Sequence, residues 1–403
     1  MAMLRSAILL SSLLSIGTAS GQAITATLLG TAGPSLSTTQ AEAGLLIQAG
    51  SETLLFDCGH LIPERLAQLG ISNVTRVFLT HLHSDHTEGL PILWMNEVTW
   101  EGCGANPLQV FGPGEDDPNQ PAGTSDMATG VANAYATNTH IRRDLVERLP
   151  AGAIEFQTTE ISQGVVYANN GVTVTAFLVD HNPVQPAFGY RVDYAGHSGV
   201  FSGDTTYSAN LVDFAQGTDV LIHEVLLSPP GATTTSDAIL GYHSTPEQAA
   251  TVFSQVMPRL AVYTHIVDQT GGGAQSLIAR TQTAGYTGPL QVGTDLTSIG
   301  IGDTIAVNRC ASTATPTITS VTNAGYQPGV SAGGTVIIWG NDFSIGGDSL
   351  IWVPASGQSV TDSDSSPGIT PGQCLPGDTS PCCNVVVLSS LIPWAKPVAI
   401  GVR

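Results

Sequence analysis

Four side chains able to bind a cation fall within six residues, His81-Leu82-His83-Ser84-Asp85-His86, directly behind the apolar run Val77-Phe78-Leu79-Thr80. A loop leaving a buried strand can turn such groups toward one point from several directions. Neutral imidazoles and a carboxylate suit Zn²⁺, which takes N and O ligands at about 2.0–2.2 Å. Six residues cannot complete two metal shells, so other ligands must come from elsewhere in the chain. His181 follows Thr175-Ala176-Phe177-Leu178-Val179-Asp180, Asp204 lies in Ser202-Gly203-Asp204-Thr205 behind Val200-Phe201, and His265 follows Leu260-Ala261-Val262-Tyr263-Thr264. Each is a ligand type at the exit of an apolar run, the placement required by a site built along one edge of a sheet.

The elements that would hold these groups are legible from Ile24 to about Val307. Ile24–Gly30, Gly44–Gln48, Thr53–Cys58 and Arg76–Leu79 read as short strands, as do Val165–Ala168, Val172–Val179, Phe188–Tyr194, Gly199–Ser202 and Val220–His223. Pro63–Leu69, Met127–Leu149 and Ser244–Val256 read as helices. The last opens on Ser-Thr-Pro-Glu, with Glu247 three residues after a Ser244 cap. Strands alternating with helices imply layered α/β architecture. Gly112–Asp126 reads as a solvated surface loop. Trp94, Met95 and Trp100 have helix-like spacing that suits core more than a substrate platform. His60, His140, His197 and His223 are expected to be surface or structural.

The chain of 403 residues is long enough for two or three domains, and 42% of it is hydrophobic. Only 12 Lys and Arg stand against 32 acids, a formal charge of −20. Such a chain cannot build a broad basic stripe, so composition argues against a nucleic-acid partner. Arg5, the apolar run Ala7–Ile16 and the small residues TASGQA read as an export signal over residues 1–23, which implies a periplasmic or extracellular protein. No later run is apolar enough to span a membrane. Six cysteines permit disulfides in an exported chain but do not fix their pairing.

After Cys310 helical periodicity stops. Ile318–Val321, Thr335–Trp339, Ser349–Val353, Val385–Leu388 and Val398–Val402 read as strands, and 355–383 as a long mobile loop. A small all-β sandwich over 310–403 fits, and residues 316–344 resemble the start of IPT/TIG immunoglobulin-like domains. Cell-surface or carbohydrate contact would suit such a module.

Residues 24–309 resemble the metallo-β-lactamase superfamily, an αββα sandwich with a dinuclear metal site. LLFDCG and VFLTHLHSDHTEGLP within 54–91 are similar to the branch holding ribonuclease Z, phosphodiesterases and arylsulfatases. The matching blocks continue in order: DHNPVQPAFGYR at 180–191, SGDT at 202–205, LIHE at 221–224, HSTPEQAA at 243–250 and YTHI at 263–266. The resemblance implies that His81, His83 and His181 hold one ion, that Asp85, His86 and His265 hold another, and that Asp204 bridges them. It implies two Zn²⁺, with Mn²⁺ or Fe as substitutes, and a hydroxide shared between the ions as nucleophile. Two divalent ions less two carboxylates and a hydroxide leave a net charge of about +1, enough to attract an anionic ester. The same resemblance places Asp85 among the catalytic groups, makes His243 the proton donor to the leaving group, and gives Glu224 the task of orienting it. Asp57 would sit behind the metal loop as a hydrogen-bond acceptor.

One departure is plain. Ribonuclease Z carries a long arm, gripping transfer RNA, between the ligands matching His181 and Asp204. Here only one hairpin's length separates them. The expected activity is therefore hydrolysis of a small phosphodiester or aryl sulfate. A lactonase or β-lactamase, a ribonuclease Z-type endoribonuclease and a non-catalytic surface binder are the alternatives.

Overall fold

The computed structural model describes residues 22–308, apart from 39, 73, 100–106, 116–119, 147, 150 and 235–237, and seven strands of the C-terminal region. The segment read as an export signal lies outside the described residues, but for Gln22 and Ala23.

Strands β1 (Ile24–Gly30), β2 (Gly44–Ala49), β3 (Glu52–Phe56), β4 (Arg76–Phe78), β5 (Leu108–Pro113) and β6 (Phe156–Ile161) start the first sheet. The chain then builds a second sheet from β7 (Gly164–Asn169), β8 (Val172–Leu178), β9 (Phe188–Tyr194), β10 (His197–Phe201), β11 (Val220–Leu227), β12 (Leu260–Asp268) and β13 (Leu290–Val292). It returns to the first with β14 (Thr297–Ile301) and β15 (Ile305–Asn308). The sheet orders are β15-β14-β1-β2-β3-β4-β5-β6 and β13-β12-β11-β10-β9-β8-β7.

Three cores explain the layering. The inner faces of both sheets meet through Leu28, Phe56, Phe78, Tyr190 and Ile222. Outside the first sheet, α1 (Ile62–Gln68), α3 (Leu90–Thr99) and α4 (Thr124–Ala134) cover Leu55, Val77 and Val110 with Leu66, Trp94 and Met127. Between α1 and α3 lies the single turn α2 (Ser84–Thr87), and α5 (Ala136–His140) follows α4. Outside the second sheet, α6 (Ala209–Phe214), α7 (Pro246–Val256) and α8 (Gly273–Thr283) cover Leu221, Ala261 and Tyr263 with Leu211, Phe253 and Leu277. The result is the expected αββα sandwich. Burying each large side chain contributes about 1.5–3 kcal/mol. Strand β11 is buried at all eight positions because it runs parallel between β10 and β12 with layers on both faces.

Three local expectations are corrected. Met127–Leu149 is not one helix: α4 stops at Tyr135, and Ile141–Leu145 winds as a π-helix. Thr245 rather than Ser244 caps α7, its hydroxyl accepting from Gln248 N–H while the Gln248 side chain returns to the Thr245 N–H. Ser244 is withdrawn from capping because its N–H donates to Glu224 and its hydroxyl to the Thr205 carbonyl. Gly112–Asp126 is not simply solvated, since Pro113 belongs to β5, Gln120 is buried and α4 starts at Thr124.

In the C-terminal region, two antiparallel sheets of four and three strands run in the orders β16-β17-β21-β20 and β19-β18-β22. They comprise β16 (Thr317–Asn323), β17 (Val336–Asn341), β18 (Leu350–Val353), β19 (Val360–Thr361), β20 (Gly368–Pro371), β21 (Cys383–Leu388) and β22 (Ala399–Val402). Both β19 and β20 fall inside the stretch read as a loop.

A buried acid fastens the two sheets together at one edge. Glu52, opening β3, accepts from Tyr167 Oη (2.6 Å), Asn169 (3.0 Å), Asn170 (2.6 Å) and Arg76 (3.3 Å). Burial works to raise its pKa, but these donors outweigh it and hold the carboxyl below its usual range. A depressed carboxyl adds stability above its unfolded pKa near ~4.3, and that stability is lost as pH falls through the folded value. Glu52→Gln should lower unfolding free energy by about 2–3 kcal/mol at neutral pH and by less below about pH 4. Urea denaturation at both pH values measures this, and an equal deficit at both would refute it.

Candidate metal centre

Every element end named from the sequence arrives at one edge of the sandwich, where carboxyl ends of strands expose loop groups. The metal loop leaves β4 tied to the opposite sheet: the Phe188 N–H donates to the Thr80 carbonyl (2.9 Å), and Tyr190 Oη donates to the Leu79 carbonyl (2.6 Å). His181 follows β8, and Asp204 follows β10. Gly203 before it has φ +60°, and a Cβ there would lie 2.5 Å from the Phe188 carbonyl oxygen, so glycine is required. His265 is the extra residue of a bulge between β11 and β12, with Glu224 opposite Thr264 and Val225 opposite Ile266. Its φ is +43°. The bulge breaks strand alternation and re-aims the imidazole into the cluster.

The seven residues meet there. One ligand atom from each of His81, His83, His181 and Asp204 lies within 4.8 Å of the others, and the same holds for Asp85, His86 and His265. Asp204 joins the two groups: its Oδ2 is 3.9 Å from His81 Nε2, 3.3 Å from His86 Nε2 and 3.5 Å from His265 Nε2. A third grouping, Asp204, His243 and His265, brings the expected proton donor to the same carboxylate.

Hydrogen bonds decide which imidazole nitrogens are free to bind a cation. His86 Nδ1 faces Asp57 Oδ2 at 2.8 Å and His181 Nδ1 faces the Tyr242 carbonyl at 2.8 Å. Both partners only accept, so each Nδ1 carries a hydrogen and Nε2 is the nitrogen that can offer a lone pair to a cation. The Thr80 hydroxyl donates to Asp57 and is 3.0 Å from His81 Nδ1, so it accepts from that nitrogen. The cluster atoms left over are His81 Nε2, His86 Nε2, His181 Nε2, His265 Nδ1, Asp204 Oδ1 and Glu224 Oε2, all buried and without a hydrogen-bond partner, while His265 Nε2 faces Asp85 Oδ2 at 3.1 Å. Orphaned buried lone pairs are costly, and divalent cations would satisfy them. The donor set, imidazoles with carboxylates, suits zinc. Asp57 thus takes the place expected of it, while Thr80 and the Tyr242 carbonyl were not singled out from the sequence.

Charge in the cage follows from burial and Asp204. Burial keeps His81 well below its ordinary pKa and brings His181 down to about 4. Burial opposes charge on His86 as well, yet Asp204 and then Asp57 outweigh it and raise that imidazole. Asp204 itself is held well below the carboxylate range: burial resists, and His265 and His86 prevail. Glu224 is fully buried in β11, and its Oε1 accepts from the N–H groups of Thr205 (3.1 Å) and Ser244 (2.9 Å) and from His243 Nδ1 (3.2 Å). Burial works against a charge on His243, but Glu224 outweighs it and the pKa is pushed up to about 9. His243 Nδ1 is therefore committed to Glu224, leaving Nε2 for a substrate. His223 points the other way, buried edge-on against Phe253, as a structural residue. Trp94 is core, stacked on Phe156. Cys58 is buried and free.

Fold and centre together define a metal-dependent hydrolase domain of the metallo-β-lactamase superfamily. Residues 120–266 match the model of the beta-lactamase superfamily domain, and residues 24–103 match that of the anti-Pycsar protein Apyc1. More particularly, the chain belongs to the ribonuclease Z family. It is 31% identical over 287 residues to ribonuclease Z of Mycobacterium avium, covering 68% of this chain and 96% of that protein. To ribonuclease Z of Mycobacterium bovis it is 30% identical over 280 residues, covering 67% and 95%. The metallo-beta-lactamase fold protein YhfI of Bacillus subtilis shares the fold, with a TM-score of 0.53 at 18% identity, covering 68% of this chain and 98% of that one.

These relatives correct one expectation. The acidic composition, the missing arm and the expected export argued for a small-molecule substrate and no nucleic acid, but the relatives that this chain spans almost end to end are named as ribonucleases. The error lay in reading a global charge as a local one. Surface carboxylates are screened beyond about 8–10 Å in ordinary salt, and the potential at a reaction centre is set by what it contains. No helix among the described residues is long and apolar enough to cross a membrane.

Proposed function

We propose that this chain is a dinuclear zinc phosphodiesterase that cleaves RNA, with His81, His83 and His181 at one ion, Asp85, His86 and His265 at the other, and Asp204 between them. The observation that carries this is the convergence of unpartnered His81, His86 and His181 Nε2 atoms on Asp204, in a chain whose relatives are ribonucleases Z. When bound, the ions would supply an activated water and draw charge from the phosphoryl oxygens. The chain's own groups do the rest. Asp57 and Thr80 fix the rings of His86 and His81 so that each presents one nitrogen. Glu224 holds His243 by Nδ1, and His243 donates a proton from Nε2 to the departing ribose oxygen as the P–O bond breaks. Glu224 also grips the N–H of Thr205, so one buried carboxylate positions both the proton donor and the segment carrying Asp204.

Metal analysis of the purified chain should find about two zinc ions. Incubation with an end-labelled single-stranded RNA should give a discrete cleavage product, absent after chelation and restored by zinc. A fully loaded protein that leaves RNA intact would refute the reading.

A further inference from the structure

Beside the cluster, on the His83 side, opens a cavity of about 520 Å³. Its walls come from the metal loop (Leu82, His83), from the stretch reaching into α4 (Gln120, Met127) and from Pro183 and Val184 just after His181. Two of these three segments also carry ligands, so the cavity is fixed in position relative to the reaction centre. In a chain of charge −20, none of the lining residues among those described is an acid, a lysine or an arginine. A phosphate in this cavity would find no cationic side chain among the described lining residues, since burial holds the His83 imidazole below its ordinary pKa. The cavity suits an uncharged group attached to a phosphate that stays at the metal centre. Its volume falls in the range of about 300–1,000 Å³ that takes small organic ligands.

Gln120 adds direction. Its Nε2 donates to the Gly114 carbonyl at 2.8 Å, which sets the amide orientation and leaves Oε1 as an acceptor. We infer that this cavity receives the nucleobase of the nucleotide adjoining the scissile phosphodiester, with Leu82, Met127 and Pro183 against its faces and Gln120 Oε1 accepting an N–H from its edge. Apolar faces and an edge hydrogen bond are how extruded bases are held elsewhere. The inference rests on the RNA reading of the same centre and specifies how its substrate is recognised.

Calorimetric titration of the zinc-loaded chain with adenosine 5′-monophosphate and with ribose 5-phosphate isolates the base, because the two probes share a phosphate. The base should tighten binding roughly tenfold or more. Ala122 is exposed at the cavity wall, so Ala122→Trp should fill the space without disturbing the fold. It should bring the nucleotide down to the affinity of ribose 5-phosphate, itself changed by less than about twofold. Equal affinities in the unaltered protein, or a base preference that survives Ala122→Trp, would overturn the inference. Base preference in a protein that leaves RNA intact keeps the pocket and defeats the RNA reading. RNA cleavage without base preference does the reverse.

Discussion

Asp204→Asn should lower the metal content from the proposed two ions per chain to one or fewer and reduce hydrolysis by about a thousandfold or more. Asp204 is the carboxylate shared by both groups of ligands, with Oδ2 within 3.9 Å of His81, His86 and His265 and Oδ1 unpartnered. Asparagine preserves the shape and removes the charge, so two cations would face each other with one fewer anion between them. Coulomb repulsion at such range is severe in a buried site. The fold should tolerate the change, because Glu224 still holds the neighbouring Thr205 N–H. Elemental analysis and a thermal melt, taken together, check this. An Asp204→Asn protein that keeps two ions and its activity would remove the basis of the dinuclear proposal.

The second large effect separates proton donation from positioning. His243→Ala should slow RNA cleavage by about 10²–10⁴-fold, because a ribose oxygen leaves poorly without a proton. The same variant should change hydrolysis of bis(p-nitrophenyl) phosphate by less than about tenfold, since nitrophenolate leaves unaided. A role confined to packing would depress both rates alike, and that result would exclude His243 as the donor. Glu224→Gln should fall between, as it keeps the acceptor oxygen but removes the charge that favours the His243 imidazolium.

The convergence of the candidate ligands was legible because they cluster in sequence or end apolar runs. His81 to His86 sit in one loop behind β4, and His181 and Asp204 each follow a strand of the second sheet. The αββα layering was equally legible from the alternation of short strands and helices. The cap of α7 differs from the expectation, since Ser244 and Thr245 are both good caps locally and only the distant Glu224 and Thr205, which hold the Ser244 N–H and hydroxyl, take Ser244 away. The partner was misread because composition sums charge over a surface while recognition samples a few ångströms.

By itself, then, the chain's order of residues determined which ligand-type side chains would be candidates and which strands would carry them, because ligand type and hydrophobic period are local properties. Only the tertiary structure decided which imidazole nitrogen His81, His86 and His181 offer, that a bulge turns His265 inward, that Glu224 serves both His243 and Thr205, and that a cavity without charged side chains among the described residues adjoins His83. Those features depend on contacts between residues tens to hundreds of positions apart, where a shift of one residue along a strand would point each side chain to the opposite face.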